Sequence, residues 1–178
     1  MINYKNEQYP QNLELFHQRI MDNCVNLLTL KHYRIQDIFE IDSYGRKQIS
    51  KEIKALRNNG KEIKGLYSFI NKKDEIIYIG ISQSIIRRIK QHLYSKYRNQ
   101  ATLAYIMALA EYNKENRNNY LGERIKFPFE KYRINLQERL REQSSIIIQR
   151  TEDNFELYYS EILYCCYYKP FWNTFETH

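Results

Sequence analysis

The sequence predicts a mixed α+β fold, a small sheet flanked by helices. Two apolar runs, "GLYSFI" from residue 65 and "EIIYIGI" from residue 75, surround the polar turn "NKKDE" and read as an antiparallel hairpin. Stretches with apolar residues at helical spacing stand before and after it. A further buried strand, "SSIIIQRT" from residue 144, precedes a last helix. Helices, hairpin, helices, strand and helix in that order define the class.

Each element has its own signal. Leu13, Phe16, Ile20, Cys24 and Leu27 recur at helical spacing and predict a helix over residues 11–29. Ile49, Ile53 and Leu56 predict another at about 46–58, with Gly60 as its stop. Together these form an N-terminal helical lobe. After the hairpin, Ile85, Ile89 and Leu93 mark the apolar stripe of a helix from about Ser84 to Lys96. Residues 101–113 predict a further helix, and "NKENRNNYLGER" a polar loop. "IKFPFEKYRINL" alternates in the manner of a strand broken at Pro128. Asp153 with Glu156 is a capping-box pair that starts a helix over about 154–168, which Pro170 ends.

At 178 residues the chain is long enough for one domain that buries roughly 70% of its unfolded surface. No apolar stretch reaches the roughly 20 residues that span a bilayer. The start, "MINYKNEQYPQNLELF", lacks the basic and apolar segments of a signal peptide, so a cytoplasmic location is expected. Cys24, Cys165 and Cys166 have no metal-ligand spacing and read as small buried apolar groups. The net charge is +7 and unevenly spread. Residues 65–100 carry 7 basic and 2 acidic side chains, whereas residues 151–178 carry 1 and 5. A basic field of that kind suits a polyanionic partner such as nucleic acid, and it also serves solubility alone.

Four features could carry chemistry. Gly65 and Gly80 lie inside strands, where glycine weakens pairing and is kept for a bulge or a close approach. Tyr67 and Tyr78 each stand two residues from one of them. Arg88 and His92, four apart, share a helix face at the edge of the apolar stripe. A guanidinium there can grip a phosphate and offset transition-state charge, or it can belong to a solvated basic face. Glu161 sits inside "FELYYSEILYCCYY", where a carboxylate needs a cation partner, a metal or a wet edge. An oxygen ligand of this type suits Mg²⁺ or Mn²⁺.

Taken together, these residues resemble the GIY-YIG nuclease superfamily. Gly65-Leu66-Tyr67 stands for the first half-motif, with leucine in place of the usual isoleucine or valine. Tyr78-Ile79-Gly80 matches the second half, and Arg88 lies eight residues beyond Gly80, where the family has its arginine. His92 matches a histidine found in one branch. Glu161, Pro170 and Asn173 follow in the family's order. The resemblance covers two patches, about 65–93 and 145–173.

The resemblance implies a small antiparallel or mixed three-stranded sheet and metal-dependent phosphodiester hydrolysis. It implies Glu161 as ligand of one divalent ion, Mg²⁺ or Mn²⁺, and Arg88 as support for the pentavalent transition state. Tyr67 would be the general base or would orient the attacking water, with Tyr78 beside it and Asn173 organising the site. A free tyrosine has a pKa of about 10, so that role needs nearby positive charge. Lys72, Lys73 and His92 are candidate sources, and His92 is itself a candidate base. The expected division is an N-terminal extension at 1–64 and a nuclease domain at 65–178, with an insertion at about 97–144, folded as one compact unit. Its economy resembles the compact type II restriction endonucleases, acting on double-stranded DNA. One active site per chain suggests a homodimer at least on DNA, with the helices at 11–29 or 101–113 as possible contacts. A phage or mobile-element nuclease of looser specificity, homing-type included, and a non-catalytic DNA-binding module are the alternatives. Asn113, Lys114, Asn116, Arg117, Asn118, Asn119 and Arg124 offer base-reading side chains, but a solvated loop explains them as well, and no recognition residues are assigned.

Overall fold

The computed structural model describes residues 9–41, 43, 47–57, 60–116 and 127–173. At its centre is the strand β4 (Gly65–Asn71), paired antiparallel with β5 (Ile76–Ser82) on one side and β6 (Ser144–Arg150) on the other. The short strand β1 (His32–Arg34) extends the sheet beyond β6, giving the order β1-β6-β4-β5. The expected antiparallel sheet is therefore present with a fourth strand, contributed by the N-terminal segment. Strand β4 is buried along nearly all its length, because helices cover both faces of the sheet.

One face carries Tyr33, Tyr67, Phe69 and Ile146. It packs against α4 (Ile85–Tyr94), α5 (Thr102–Asn116) and α6 (Phe129–Gln143) through Ile85, Ile89, Leu93, Leu103, Leu136 and Leu140. The other face, with Leu66, Ile70, Ile79 and Ile147, packs against α1 (Leu13–Val25) and α7 (Asn154–Tyr168) through Ile20, Cys24, Tyr164 and Cys165. The N-terminal lobe also holds the four-residue helix α2 (Ile35–Ile38), a ribbon of β2 (Phe39–Ile41) with β3 (Lys47–Ile49), and α3 (Lys51–Ala55). Among the described residues the helix expected at about 46–58 is confined to α3, whose Ser50 cap accepts from the Ile53 amide.

Two other expectations need correction. Residues 129–143 are helix α6 and not a broken strand. Tyr132, Leu136 and Leu140 are buried at i, i+4 and i+8, and Pro128 stands just before the first turn, where its missing N–H costs nothing. Cys24 and Cys165 are buried as expected, but Cys166 is exposed on the outer side of α7. The polar loop is described only at its start, where Asn113–Asn116 complete α5; Arg117, Asn118, Asn119 and Arg124 lie outside the described residues.

The Asn71 Oδ1 accepts from the amides of Lys73 and Glu75 at 2.8 and 3.0 Å, which closes the hairpin turn. The register shifts between Phe69↔Tyr78 and Ile70↔Ile76, leaving Ile77 as an extra residue. This bulge turns Ile77 and Tyr78 to the same face of the sheet. The Asp153 side chain caps α7 through the Glu156 amide at 2.7 Å, as the capping pair predicts. Among the described residues no helix is long and apolar enough to cross a membrane.

Candidate active site

The register of β4 and β5 places Tyr67 directly opposite Gly80. A Cβ on Gly80 would stand 2.6 Å from the Tyr67 hydroxyl and 2.7 Å from Cζ, so glycine makes room for this phenol. Gly65 has a different reason. Its φ of +151° is one that side-chain-bearing residues rarely adopt, and a Cβ there would collide with the Gln149 carbonyl of β6. One glycine seats the tyrosine and the other lets two strands meet.

Tyr67 is 1% exposed and lies in an aromatic box with Phe69, Tyr78 and His92. Its hydroxyl is 2.8 Å from His92 Nε2. The Nδ1 of the same ring accepts the Leu103 backbone N–H at 3.2 Å. An acceptor at Nδ1 puts the proton of a neutral imidazole on Nε2, so His92 donates to the Tyr67 oxygen. Burial, and after it the Arg88 charge, push the His92 pKa down to about 3. His92 is thus neutral, and supplies Tyr67 with a hydrogen bond rather than with positive charge or a vacant base. Lys72 and Lys73 do not supply the charge either. They lie in the hairpin turn beyond Asn71, and the extended strand from Tyr67 to Asn71 alone spans roughly 13 Å.

The cation beside Tyr67 is Arg88. Burial drives the phenol pKa well above its ordinary value, the neighbouring Tyr78 adds to this, and the Arg88 guanidinium opposes it. Tyr78 behaves alike, raised chiefly by burial and lowered by Arg88. Arg88 itself is partly buried. Its Nη1 donates to Gln91 Oε1 at 3.3 Å and the Gln100 carbonyl at 3.1 Å, and its Nη2 donates to Thr102 Oγ1 at 2.8 Å.

Glu161 is carried by α7 on the opposite side of the sheet, and its charge reaches the Tyr78 hydroxyl next to the edge strand β5. The carboxylate is half-buried, burial raises its pKa, and it has no ion pair or hydrogen bond among the described residues. Beyond α7 the chain returns along β5. The Asn173 Oδ1 accepts from the Ile79 amide at 2.8 Å and its Nδ2 donates to the Ile79 carbonyl at 2.7 Å, so this side chain acts as a strand partner for the open edge. The Trp172 amide adds a bond to the Ile77 carbonyl at 3.1 Å.

Tyr67, Tyr78, Arg88 and His92 therefore form one contacting group, with Glu161 linked to it through Tyr78 and Asn173 fixing the strand between them. Residues beyond the motif also hold this group. Gln137, 2% exposed, donates to the carbonyls of His92 and Ser95 at 3.1 and 2.9 Å, and Arg141 donates to the Leu93 carbonyl at 2.9 Å. Both close the C-terminal end of α4. In the sequence, a glutamine inside a helical apolar stripe is the one sign of such a role.

A divalent cation fits this centre. No group of three or more His, Cys, Asp or Glu side chains gathers among the described residues, so a protein cage is absent there. An unpaired, half-buried carboxylate suits an ion that takes one protein oxygen and completes its shell with water and phosphate.

Two phenols, a guanidinium and a carboxylate without a cation partner among the described residues are groups that can serve chemistry on a phosphate diester. Residues 45–167 match the GIY-YIG catalytic domain family, a span of more than half the chain, and the chain belongs to that family. This is a nuclease domain, with DNA as its substrate and divalent metal ions in general use across the family. No curated protein and no solved structure matches the chain.

Proposed function

We propose that the chain is a metal-dependent endodeoxyribonuclease of the type II restriction class, which hydrolyses double-stranded DNA at a specific sequence as a homodimer. The observation that supports the reaction is the arrangement of Tyr67 between His92 and Arg88, with the unpaired Glu161 carboxylate across Tyr78. Glu161 would hold one Mg²⁺ or Mn²⁺, which supplies charge neutralisation at the scissile phosphate and the leaving oxygen.

The chain's own groups do the rest. Arg88 presents its guanidinium to the phosphate as negative charge builds on it. Tyr67, having released its own proton to solvent, orients the attacking water as tyrosinate and takes one proton from it, returning to the phenol as the water oxygen bonds to phosphorus and the leaving oxygen departs. Forming tyrosinate in so dry a place requires donors aimed at the oxygen, and the His92 Nε2–H and Arg88 are those donors. His92 thus acts as support for the base and not as the base. Tyr78 stands beside both, and Asn173 keeps the Tyr78-Ile79-Gly80 backbone in register.

The domain division belongs to the same proposal: an extension at 1–64 on a nuclease domain at 65–178 with an insertion at about 97–144, folded as one unit. Pairing of β1 with β6 and the presence of Ile63 in the core favour a single unit. The family match begins at residue 45, inside the extension. Of the two helices that could meet a second copy, α1 lies on α7 and α5 on α6, so each would offer only its outer face.

Fragment patterns on defined DNA test this reading. Discrete bands with uniform ends support restriction-type recognition, a smear supports a phage or mobile-element nuclease of looser specificity, and sedimentation with a cleavable duplex reports one or two chains per site.

A further inference from the structure

Helix α5 opens at Thr102, and the first amides of a helix have no partner within it. One of these, the Leu103 N–H, is used on His92 Nδ1. The residue before it, Thr102, accepts Arg88 Nη2 through its hydroxyl, and the Gln100 carbonyl accepts Arg88 Nη1. A stretch of four residues thus fixes both polar side chains that α4 sends into the site. The stretch is itself well held. Gln100 and Ala101 donate their amides to the Tyr97 carbonyl at 3.0 and 2.9 Å. Ser95 Oγ donates to Gln100 Oε1 at 2.7 Å. The Thr102 hydroxyl points its own proton at the Asn99 carbonyl, 3.5 Å away, which leaves its oxygen free to accept from the arginine.

We infer that Thr102 is a positioning residue for Arg88, and that the entry to α5, from Gln100 to Leu103, is a clasp presenting Arg88 and His92 as one unit. This inference rests on the nuclease reading of the site. A guanidinium has five N–H donors in a fixed plane. The clasp and Gln91 occupy Nη1 and one hydrogen of Nη2. The donors that remain, on Nε and the second Nη2 hydrogen, serve the Tyr67 hydroxyl and an incoming phosphate oxygen. Without the clasp the arginine regains its rotamers and the plane is lost. The positive end of the α5 helix, directed at His92, further disfavours protonation of the ring and keeps its Nε2–H aimed at Tyr67. The insertion therefore has a task inside the site as well as any contact with DNA.

Thr102→Val removes the hydroxyl and keeps the shape, whereas Thr102→Ser keeps the hydroxyl. Three readouts are taken on the full chain: single-turnover cleavage of duplex DNA with Mg²⁺, duplex affinity without metal, and melting temperature. The expected result is about 10–100-fold slower cleavage for Thr102→Val, with affinity and melting temperature near wild type, and rescue by Thr102→Ser. Wild-type rates in Thr102→Val, equal losses in Thr102→Ser, or a loss that tracks the melting temperature would overturn the clasp. The Arg88 Nη–H signal in ¹⁵N-arginine-labelled free protein separates this inference from the nuclease reading. It is expected to be protected from solvent exchange in wild type and unprotected in Thr102→Val. Equal exchange in both sinks the clasp whatever the cleavage result; protection lost in a protein that never cuts DNA retains the clasp and rejects the nuclease reading.

Discussion

Tyr67 and Gly80 face each other across the β4–β5 ladder, and the phenol of Tyr67 fills the volume in which any other residue at position 80 would keep its Cβ. The two half-motifs of the sequence are thus one packing relationship. A glycine is needed at position 80 because a ring lies against its backbone. That ring is buried, held at its oxygen by His92 and biased by Arg88.

Gly80→Ala is expected to push the phenol off the His92 Nε2. A displacement on the order of 1 Å costs roughly 100-fold in rate, and the overpacking costs about 1–3 kcal/mol of stability. Cleavage kinetics and urea unfolding check the two effects. An alanine variant that cuts at the wild-type rate contradicts the placement of Tyr67.

His92 carries a signature in acid. Its pKa falls from 6.5 to about 3 because burial and the Arg88 charge disfavour the imidazolium, and among the described residues Tyr67, Tyr78 and Phe69 pack around the ring without a carboxylate. Between those values the unfolded chain binds a proton that the folded chain does not. The contribution to stability is complete above pH about 6.5 and declines as pH falls toward about 3. His92→Gln keeps a side-chain N–H donor and removes the titration. Its melting temperature should fall less steeply than wild type between pH 7 and pH 4, while His92→Ala loses the donor and slows cleavage by about 10–100-fold. Equal acid slopes in wild type and His92→Gln would show that His92 is not held neutral.

Glu161→Gln separates function from stability. Burial raises the Glu161 pKa, so the carboxylate binds protons more tightly in the folded chain than in the unfolded one, and its ionised form weighs against folding near neutral pH. The neutral isostere should melt at or above the wild-type temperature in the absence of metal and show no cleavage in its presence. Metal should raise the melting temperature of wild type and leave that of the variant unchanged. A variant that melts well below wild type without metal points to a structural partner for Glu161.

Arg88→Lys keeps the charge and loses the plane. Lysine cannot serve Gln100, Thr102 and a phosphate together from one ammonium group, so cleavage should drop by about 10³-fold with little change in DNA affinity. Retention of more than a tenth of wild-type activity would reduce Arg88 to a general electrostatic role.

Much of this fold is legible in the sequence where local chemistry decides it. The hairpin follows from alternation around a polar turn, and the start of α7 follows from Asp153 and Glu156. The strands β1, β2 and β3, of three residues each, are too short to show a period, and only pairing in three dimensions defines them. Helix α6 misleads because Phe127 and Phe129 alternate around Pro128 before the helical spacing of Tyr132, Leu136 and Leu140 begins. The site shows the same contrast. Tyr67, Tyr78, Arg88 and His92 carry recognisable side chains at recognisable spacing. The groups that hold them include the Gln100 carbonyl and the Leu103 amide, which are backbone atoms without a sequence signature. Lys72 and Lys73 are near Tyr67 in sequence, yet the extended strand carries them away from it.

The most direct measurement is digestion of unmethylated phage DNA with Mg²⁺ or Mn²⁺ by the wild-type chain beside Glu161→Ala. Metal-dependent cleavage by wild type and none by the variant is the expected result. Intact DNA under both metals with binding retained, or equal cleavage by Glu161→Ala, would contradict a metal-dependent nuclease centred on Glu161.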